Sequence, residues 1–194
     1  MDMNRPLSYS AISTFKDTTW GGPEAWYRKY VLHQKQPTSR EMEFGSYVDT
    51  KLQTDPLFLP HVERYPISQH KMEVFFAGIP LLGLADGFDR EGKRLKDDKT
   101  GKATWTQKRA DDSEQLTMYT LLLYVTEKIP PEDLSLFISW LPTKDNGDFT
   151  ISFKDDPPIP QIFETKRTML QVLLYGKEIK RVWKAMQEYA ANHE

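Results

Sequence analysis

Asp86, Asp97 and Lys99 fall within one short stretch, GLADGFDREGKRLKDDKTG (Gly83 to Gly101). Its alternation predicts two antiparallel strands joined at Glu91-Gly92. With that tip, Asp86 faces Asp97, Phe88 faces Leu95 and Leu84 faces Lys99 on one side, while Asp89 meets Arg94 on the other. Alternation also puts Asp97 and Lys99 on a common face and turns Asp98 away. Two aspartates directly opposite, with Cβ atoms about 5 Å apart, repel unless a positive charge lies between them. A divalent cation would resolve the conflict, and hard oxygen ligands point to Mg²⁺ or Mn²⁺. A lysine two residues beyond one ligand could then orient an attacking water or offset charge on a phosphate. The alternative is a pair of solvated strand aspartates, one of them neutralised by Lys99, and spacing alone leaves both readings open. A slip of one residue in the register would move every partner to the other face.

The elements that must position these residues come from a chain of 194 residues, 39% hydrophobic and 28% charged. At about 100–200 residues per domain this is one domain, 1–194, with a globular composition. No apolar run reaches membrane-spanning length and the N-terminus lacks a secretory pattern, so an intracellular, cytoplasmic protein is expected. Cysteine is absent, which excludes disulfides, thiol catalysis and thiolate-held zinc or iron–sulfur clusters. The formal charge of −2 means that any phosphate-binding surface is local.

Ser8 can cap a helix over the following residues, and Pro23 opens a second one, EAWYRKYVL, which Gln36-Pro37-Thr38-Ser39 ends. In EMEFGSYVDTKL, Phe44, Val48 and Leu52 mark an amphipathic helix that stops before Pro56. HVERYPI, MEVFFAGI, LLGLADGFD and GKRLKDDKT read as strands. Asp112 to Thr126 reads as a largely buried helix, followed by a hairpin of LSLFISWLP and DFTISFK turning at Asp145-Asn146-Gly147. From Ile159 a long helix is expected, softened at Gly176, with Leu170, Leu173, Leu174, Val182, Trp183 and Met186 on its apolar side. The order predicts an α/β fold with one central mixed sheet flanked by helices. Gly87-x-x-x-x-Gly92-Lys93 mimics a nucleotide-binding loop, but Arg94 follows and a strand, not a helix, comes next.

Gly83 and Asp86, then Asp97, Lys99, Thr100 and Gly101, then Gln115 and Tyr119 follow the pattern G-x-x-D, D-x-K-T-G, Q-x-x-x-Y. This resembles the PD-(D/E)XK nuclease superfamily in its RecB-like exonuclease branch, and LSYSAISTF and FGSYVDTKL resemble that branch's N-terminal helix and its G-x-x-x-H helix. The likeness spans nearly the whole chain. It implies a restriction-endonuclease-like core and divalent-metal-dependent cleavage of DNA, with Asp86 and Asp97 binding Mg²⁺ or Mn²⁺ and Lys99 assisting the nucleophile. It makes Gln115 and Tyr119 site residues, although Asp112 with Gln115 also reads as a capping box and Tyr119 as core. Where the branch usually has a histidine ligand this chain has Asp49, which can still offer oxygen to the metal, with Gly45 one turn earlier leaving room for the sheet. Several relatives carry cluster cysteines; here one such position is Gly22, so no iron–sulfur cluster is expected and Trp20, Trp26, Tyr27 and Tyr30 are available to pack the region.

Lys102, Lys108 and Arg109 can form a local rim touching DNA phosphates, or a solvated loop. The aromatics from Trp20 to Tyr30 can stack unpaired bases or build core. By analogy with small relatives the resemblance also admits a homo-oligomer, a recombination partner protein, and a role in recombination, repair or viral DNA processing. An endonuclease of the same fold, or a DNA-binding accessory protein without catalysis, remains the competing reading. A structural Ca²⁺ site is disfavoured, because the carboxylates lie on strands and not in an Asx-rich loop.

Overall fold

The structure, a computed structural model, describes residues 5–19 and 21–193; Trp20 lies outside them. In chain order the elements are β1 (Leu7–Ser8), α1 (Tyr9–Lys16), α2 (Gly22–Trp26, extended by a π-helical turn Tyr27–Val31), α3 (Arg40–Thr54), β2 (Ile67–Phe76), β3 (Ile79–Asp89) and β4 (Arg94–Gly101). They continue with α4 (Gln107–Asp111), α5 (Glu114–Thr126), β5 (Ser135–Asp145), β6 (Ile151–Phe153), β7 (Gln161–Thr165) and α6 (Met169–Ala191). Helix starts follow local chemistry: the hydroxyls of Ser8, Ser39 and Thr106 accept the backbone N–H of Ala11, Met42 and Arg109, and Pro23 sits in the first turn of α2.

The seven strands of the described residues form one mixed sheet, as the α/β reading expects. Along one edge of β3 runs antiparallel β2, from Ile67 opposite Phe88 to Phe76 opposite Ile79. The other edge is shared: parallel β1 covers Leu81 and Leu82, and antiparallel β4 pairs only with Gly87, Phe88 and Asp89. β4 runs parallel to β5 over its whole length, from Arg94 opposite Ser135 to Gly101 opposite Pro142. The expected register is correct where the hairpin is paired, at Phe88–Leu95 and Asp89–Arg94. Asp86–Asp97 and Leu84–Lys99, however, are not ladder pairs: the β3–β4 ladder ends at Gly87–Lys96, while the other edge of β4 stays paired to β5 throughout. The strands therefore splay at the two aspartates, and the β3 edge from Gly83 to Asp86 opens onto a cleft.

Helix α5 is apolar all round and buried from Leu116 to Leu123, packing on β2, β3 and α6. Leu136, Ile138 and Trp140 of β5 join that core, whereas Leu141 belongs to a separate cluster with Val48 of α3, Leu59 and Val62. Period-two alternation thus places α3 on the opposite face of the sheet from α5. Trp26 and Tyr27 are buried and Tyr30 packs against them, with Phe15 edge-on to Trp26 at 5.3 Å, so these aromatics are core and not a stacking platform. No helix of the described residues is long and apolar enough to cross a membrane.

Three expectations need correction. HVERYPI is not a strand apart from Ile67; the Arg64 guanidinium donates to the carbonyls of Leu52, Asp55 and Phe58, groups that hold this loop on the end of α3. The helix expected from Asp112 begins at Glu114, with Ser113 and not Asp112 as its cap. The segment after Ile159 first forms β7, paired to β5, and α6 starts only where Thr168 and Gln171 make a capping box. Helix α6 is unbroken at Gly176, where a Cβ would come within 2.8 Å of the Phe76 ring. That close approach sets the buried face to Val172, Tyr175, Gly176, Ile179, Val182 and Met186, leaving Leu170, Leu173 and Leu174 66%, 55% and 54% exposed.

Candidate active site

The cleft at the splayed hairpin has a volume of about 330 Å³, and Asp49, Asp86, Asp97, Lys99, Gln115 and Tyr119 all line it. The two strands, α3 and α5 meet here because small residues let them. A Cβ on Gly83 would strike Leu122 at 2.5 Å and Tyr119 at 3.1 Å, so glycine at this position admits α5 against β3. A Cβ on Gly45 would stand 3.1 Å from the Thr100 hydroxyl, where α3 passes β4.

Asp97, only 2% exposed, anchors a closed ring of contacts. Its Oδ2 pairs with Lys99 Nζ at 2.5 Å and its Oδ1 accepts from Gln115 Nε2 at 3.0 Å. Lys99 Nζ also donates to Gln115 Oε1 at 3.0 Å. Gln115 Nε2 donates further to the Tyr119 hydroxyl at 2.7 Å, and that hydroxyl donates to the Leu84 carbonyl at 2.6 Å, on the open edge of β3. Both ends of the Gln115 amide are engaged, so its orientation is set, and its side chain has no part in capping α5. Burial alone would draw the Lys99 ammonium down, but the Asp97 charge and hydrogen bond outweigh it and hold Lys99 above its ordinary value. Lys99 is a fixed cation.

Asp86 accepts the Asp98 backbone N–H at 2.7 Å and Gln69 Nε2 at 3.3 Å. Burial, reinforced by the charges of Asp97 and Asp98, pushes its carboxyl up to about 7. Asp97 is also raised, by burial, against the pull of Lys99. Burial, followed by the Asp97 charge, raises the Tyr119 phenol, which stays a neutral donor. Asp49 Oδ1 accepts from Gln53 at 2.9 Å and from the same Gln69 nitrogen at 3.1 Å.

Alternation along β4 separates two ion pairs, Lys99 with Asp97 on one face and Lys96 with Asp98 at 2.9 Å on the other, although Asp98 also borders the cleft. Neither Asp49 nor Asp86 has a cationic partner among the described residues. Oxygen donors alone and this uncompensated charge fit a hard divalent cation, which Asp86 and Asp97, with Asp49, would hold. The carboxylates are not drawn into a finished cage, since no three metal-ligating groups cluster among the described residues. Between Asp49 and Asp86 stands the Gln69 amide.

The three basic residues do not make one rim. Lys102 is held by Glu41 and Asp145, both at 3.1 Å, and Lys108 by Asp112 at 2.5 Å. Arg109 stacks 4.2 Å over the Trp105 ring and has no carboxylate partner among the described residues. Lys108 and Arg109 line a groove of about 790 Å³ that shares Lys99, Thr100 and Gln115 with the cleft; Lys102 does not.

Two residues escape the sequence reading. Gln69 lies opposite Asp86 in the β2–β3 register, but β2 was expected to begin only at Met72, so nothing brought them together. Arg167, 2% exposed, lies in a segment expected to be helical. It donates to Thr117 Oγ1, the Ala110 carbonyl and the Ser113 carbonyl, fixing the α4–α5 junction from which Gln115 projects.

No protein-family model matches the sequence, and no curated protein sequence does. Solved structures share its fold. A presumptive exonuclease from Eubacterium rectale superposes with a TM-score of 0.62 at 14% identity, covering 95% of this chain and 82% of that one. An alkaline exonuclease from Laribacter hongkongensis gives 0.55 at 10% identity, over 96% and 90% of the two chains. A phage-related exonuclease from Haemophilus somnus gives 0.53 at 13% identity, over 97% and 88%.

Proposed function

We propose that this chain is a divalent-metal-dependent deoxyribonuclease, an exonuclease of the RecB-like PD-(D/E)XK type, using Mg²⁺ or Mn²⁺. The observation that carries the proposal is the Asp97–Lys99–Gln115 ring with Asp86 beside it, at a splayed hairpin in a fold shared with proteins described as exonucleases. Asp86 and Asp97, joined by Asp49 from α3, would hold the cation. When bound, it would supply a water of lowered pKa and charge to offset that of the scissile phosphate. Lys99, kept protonated by Asp97, donates to the attacking water or a non-bridging phosphate oxygen. Gln115 holds Lys99 and Asp97 at fixed separation, and Tyr119 ties Gln115 to the edge of β3. Arg109, with no carboxylate partner among the described residues, is the phosphate contact in the adjoining groove. A place in recombination, repair or viral DNA processing follows from the resemblance.

The test uses end-labelled linear DNA and closed circular DNA with wild type and Lys99→Ala, in Mn²⁺, Mg²⁺ or chelator. Degradation of linear DNA only, lost in chelator and in the variant, is the expected result. Cutting of circles would replace exonuclease with endonuclease. Binding in chelator without any cutting would leave a DNA-binding protein.

A further inference from the structure

Gln69 occupies an anomalous position in an otherwise regular strand. Pairs on either side of it, Ser68–Gly87 and His70–Ala85, are intact, yet Gln69 and Asp86, which face each other in that register, form no ladder pair. The backbone of Gln69 has φ 50°, and it is the one non-glycine residue inside a strand with positive φ among the described residues. Such a conformation costs about 1 kcal/mol or more and persists where surrounding contacts impose it. The contacts here are two carboxylates: the single nitrogen Nε2 donates to Asp49 Oδ1 at 3.1 Å and to Asp86 Oδ1 at 3.3 Å. A positive dipole end thus lies between two carboxylates that have no ion-pair partner among the described residues.

On the far side of these carboxylates is a second cavity of about 240 Å³, bounded by Gln69, Tyr65, Lys96, Asp49, Asp86 and Asp98. It holds unused hydrogen-bonding capacity. Among the described residues the Tyr65 hydroxyl and Asp98 Oδ1 are buried without hydrogen-bond partners, although Tyr65 is 8% exposed overall and Asp98 Oδ2 is taken by Lys96. Buried polar atoms left unpaired are costly, at about 1–3 kcal/mol each, and call for an explanation. An amide carries one acceptor and two donor hydrogens, the complement of a phenol donor and a carboxylate acceptor.

We propose that Gln69 is a displaceable stand-in for the divalent cation. In the metal-free protein its amide holds Asp49 and Asp86 together; when the cation enters, the amide turns into the second cavity and pairs with the Tyr65 hydroxyl and Asp98. Gln69 is then a positioning residue that sets metal affinity, and Tyr65 influences the metal without touching it. The inference rests on the metal-dependent reading of the cleft.

The experiment measures Mn²⁺ binding by electron paramagnetic resonance at pH 8, on the full chain without DNA. It uses wild type, Gln69→Ala, the bulk-preserving Gln69→Leu, Tyr65→Phe, the Gln69→Ala/Tyr65→Phe double variant, and Asp86→Asn as control. Both Gln69 variants should bind Mn²⁺ about tenfold tighter, the size of one lost hydrogen bond to a charged group. They should also melt earlier than wild type in chelator. Tyr65→Phe should bind about threefold weaker, and this effect should vanish in the Gln69→Ala background. Gln69 variants that bind no tighter than wild type, or a Tyr65→Phe effect that persists without Gln69, would overturn the inference. If wild type binds Mn²⁺ and Asp86→Asn does not, that failure belongs to the role of Gln69 alone. If wild type itself does not bind, the metal-dependent reading falls and the stand-in with it.

Discussion

Replacing Asp86 by asparagine should stabilise the protein in chelator at pH 8. A carboxyl raised from 3.8 to about 7 on folding represents about 4 kcal/mol of unfavourable burial once the group is ionised in both states. Below the unfolded value of 3.8 both states are protonated and nothing is lost. As pH rises towards 7 the unfolded chain ionises first and stability falls, and above about 7 the full cost is present. Asparagine removes the charge while its amide oxygen still accepts the Asp98 N–H. The gain at pH 8 should approach about 4 kcal/mol, or about 8–16 °C in Tm for a chain of this size. At pH 4 it should shrink below about 1 kcal/mol. Added Mn²⁺ should raise the Tm of wild type and leave the variant unmoved. Chemical denaturation at both pH values with 1 mM-scale chelator gives the comparison directly. A gain under about 1 kcal/mol at pH 8, or an equal gain at pH 4, would show that Asp86 does not carry uncompensated buried charge.

Lys99→Ala should lower DNA cleavage by at least about 100-fold and cost about 2 kcal/mol of stability, because Asp97 keeps only the Gln115 amide; initial rates and urea melts measure the two effects. Tyr119→Phe should reduce the rate less than Lys99→Ala, since Gln115 retains Asp97 and Lys99 when the tie to the Leu84 carbonyl is cut; single-turnover kinetics rank the two. Arg109→Ala should weaken DNA binding and lower the salt slope by about 1, whereas Lys108→Ala, whose charge Asp112 already offsets, should change binding less; titrations in chelator at several salt concentrations test this. Arg167→Met should destabilise by about 1–3 kcal/mol by removing the buried hydrogen bonds to Thr117 Oγ1 and to the Ala110 and Ser113 carbonyls, which keep only their local donors; thermal melts would show it.

Local and periodic features were legible from the residues alone. Helix α3 with its Phe44, Val48 and Leu52 stripe, the Ser8 and Ser39 caps, the turn at Asp145-Asn146-Gly147, and the separation of Asp97 and Lys99 from Asp98 all depend on neighbours within a few positions. Spacing in two consecutive strands singled out Asp86, Asp97 and Lys99, the resemblance added Gln115 and Tyr119, and all five line one cleft. Long-range competition decided the rest. β4 pairs β5 along its whole length but β3 only as far as Lys96, and the parting of the β3 edge there opened the cleft that a regular hairpin would have closed. The buried face of α6 was set by Phe76 lying over Gly176, so leucines that fit an apolar stripe in sequence remain in solvent. Gln69 reaches Asp49 and Asp86 only because three separate elements meet at the cleft. A sequence states each residue's preferences, but which partner satisfies a strand edge, a helix face or a buried amide depends on the other groups that folding brings within reach.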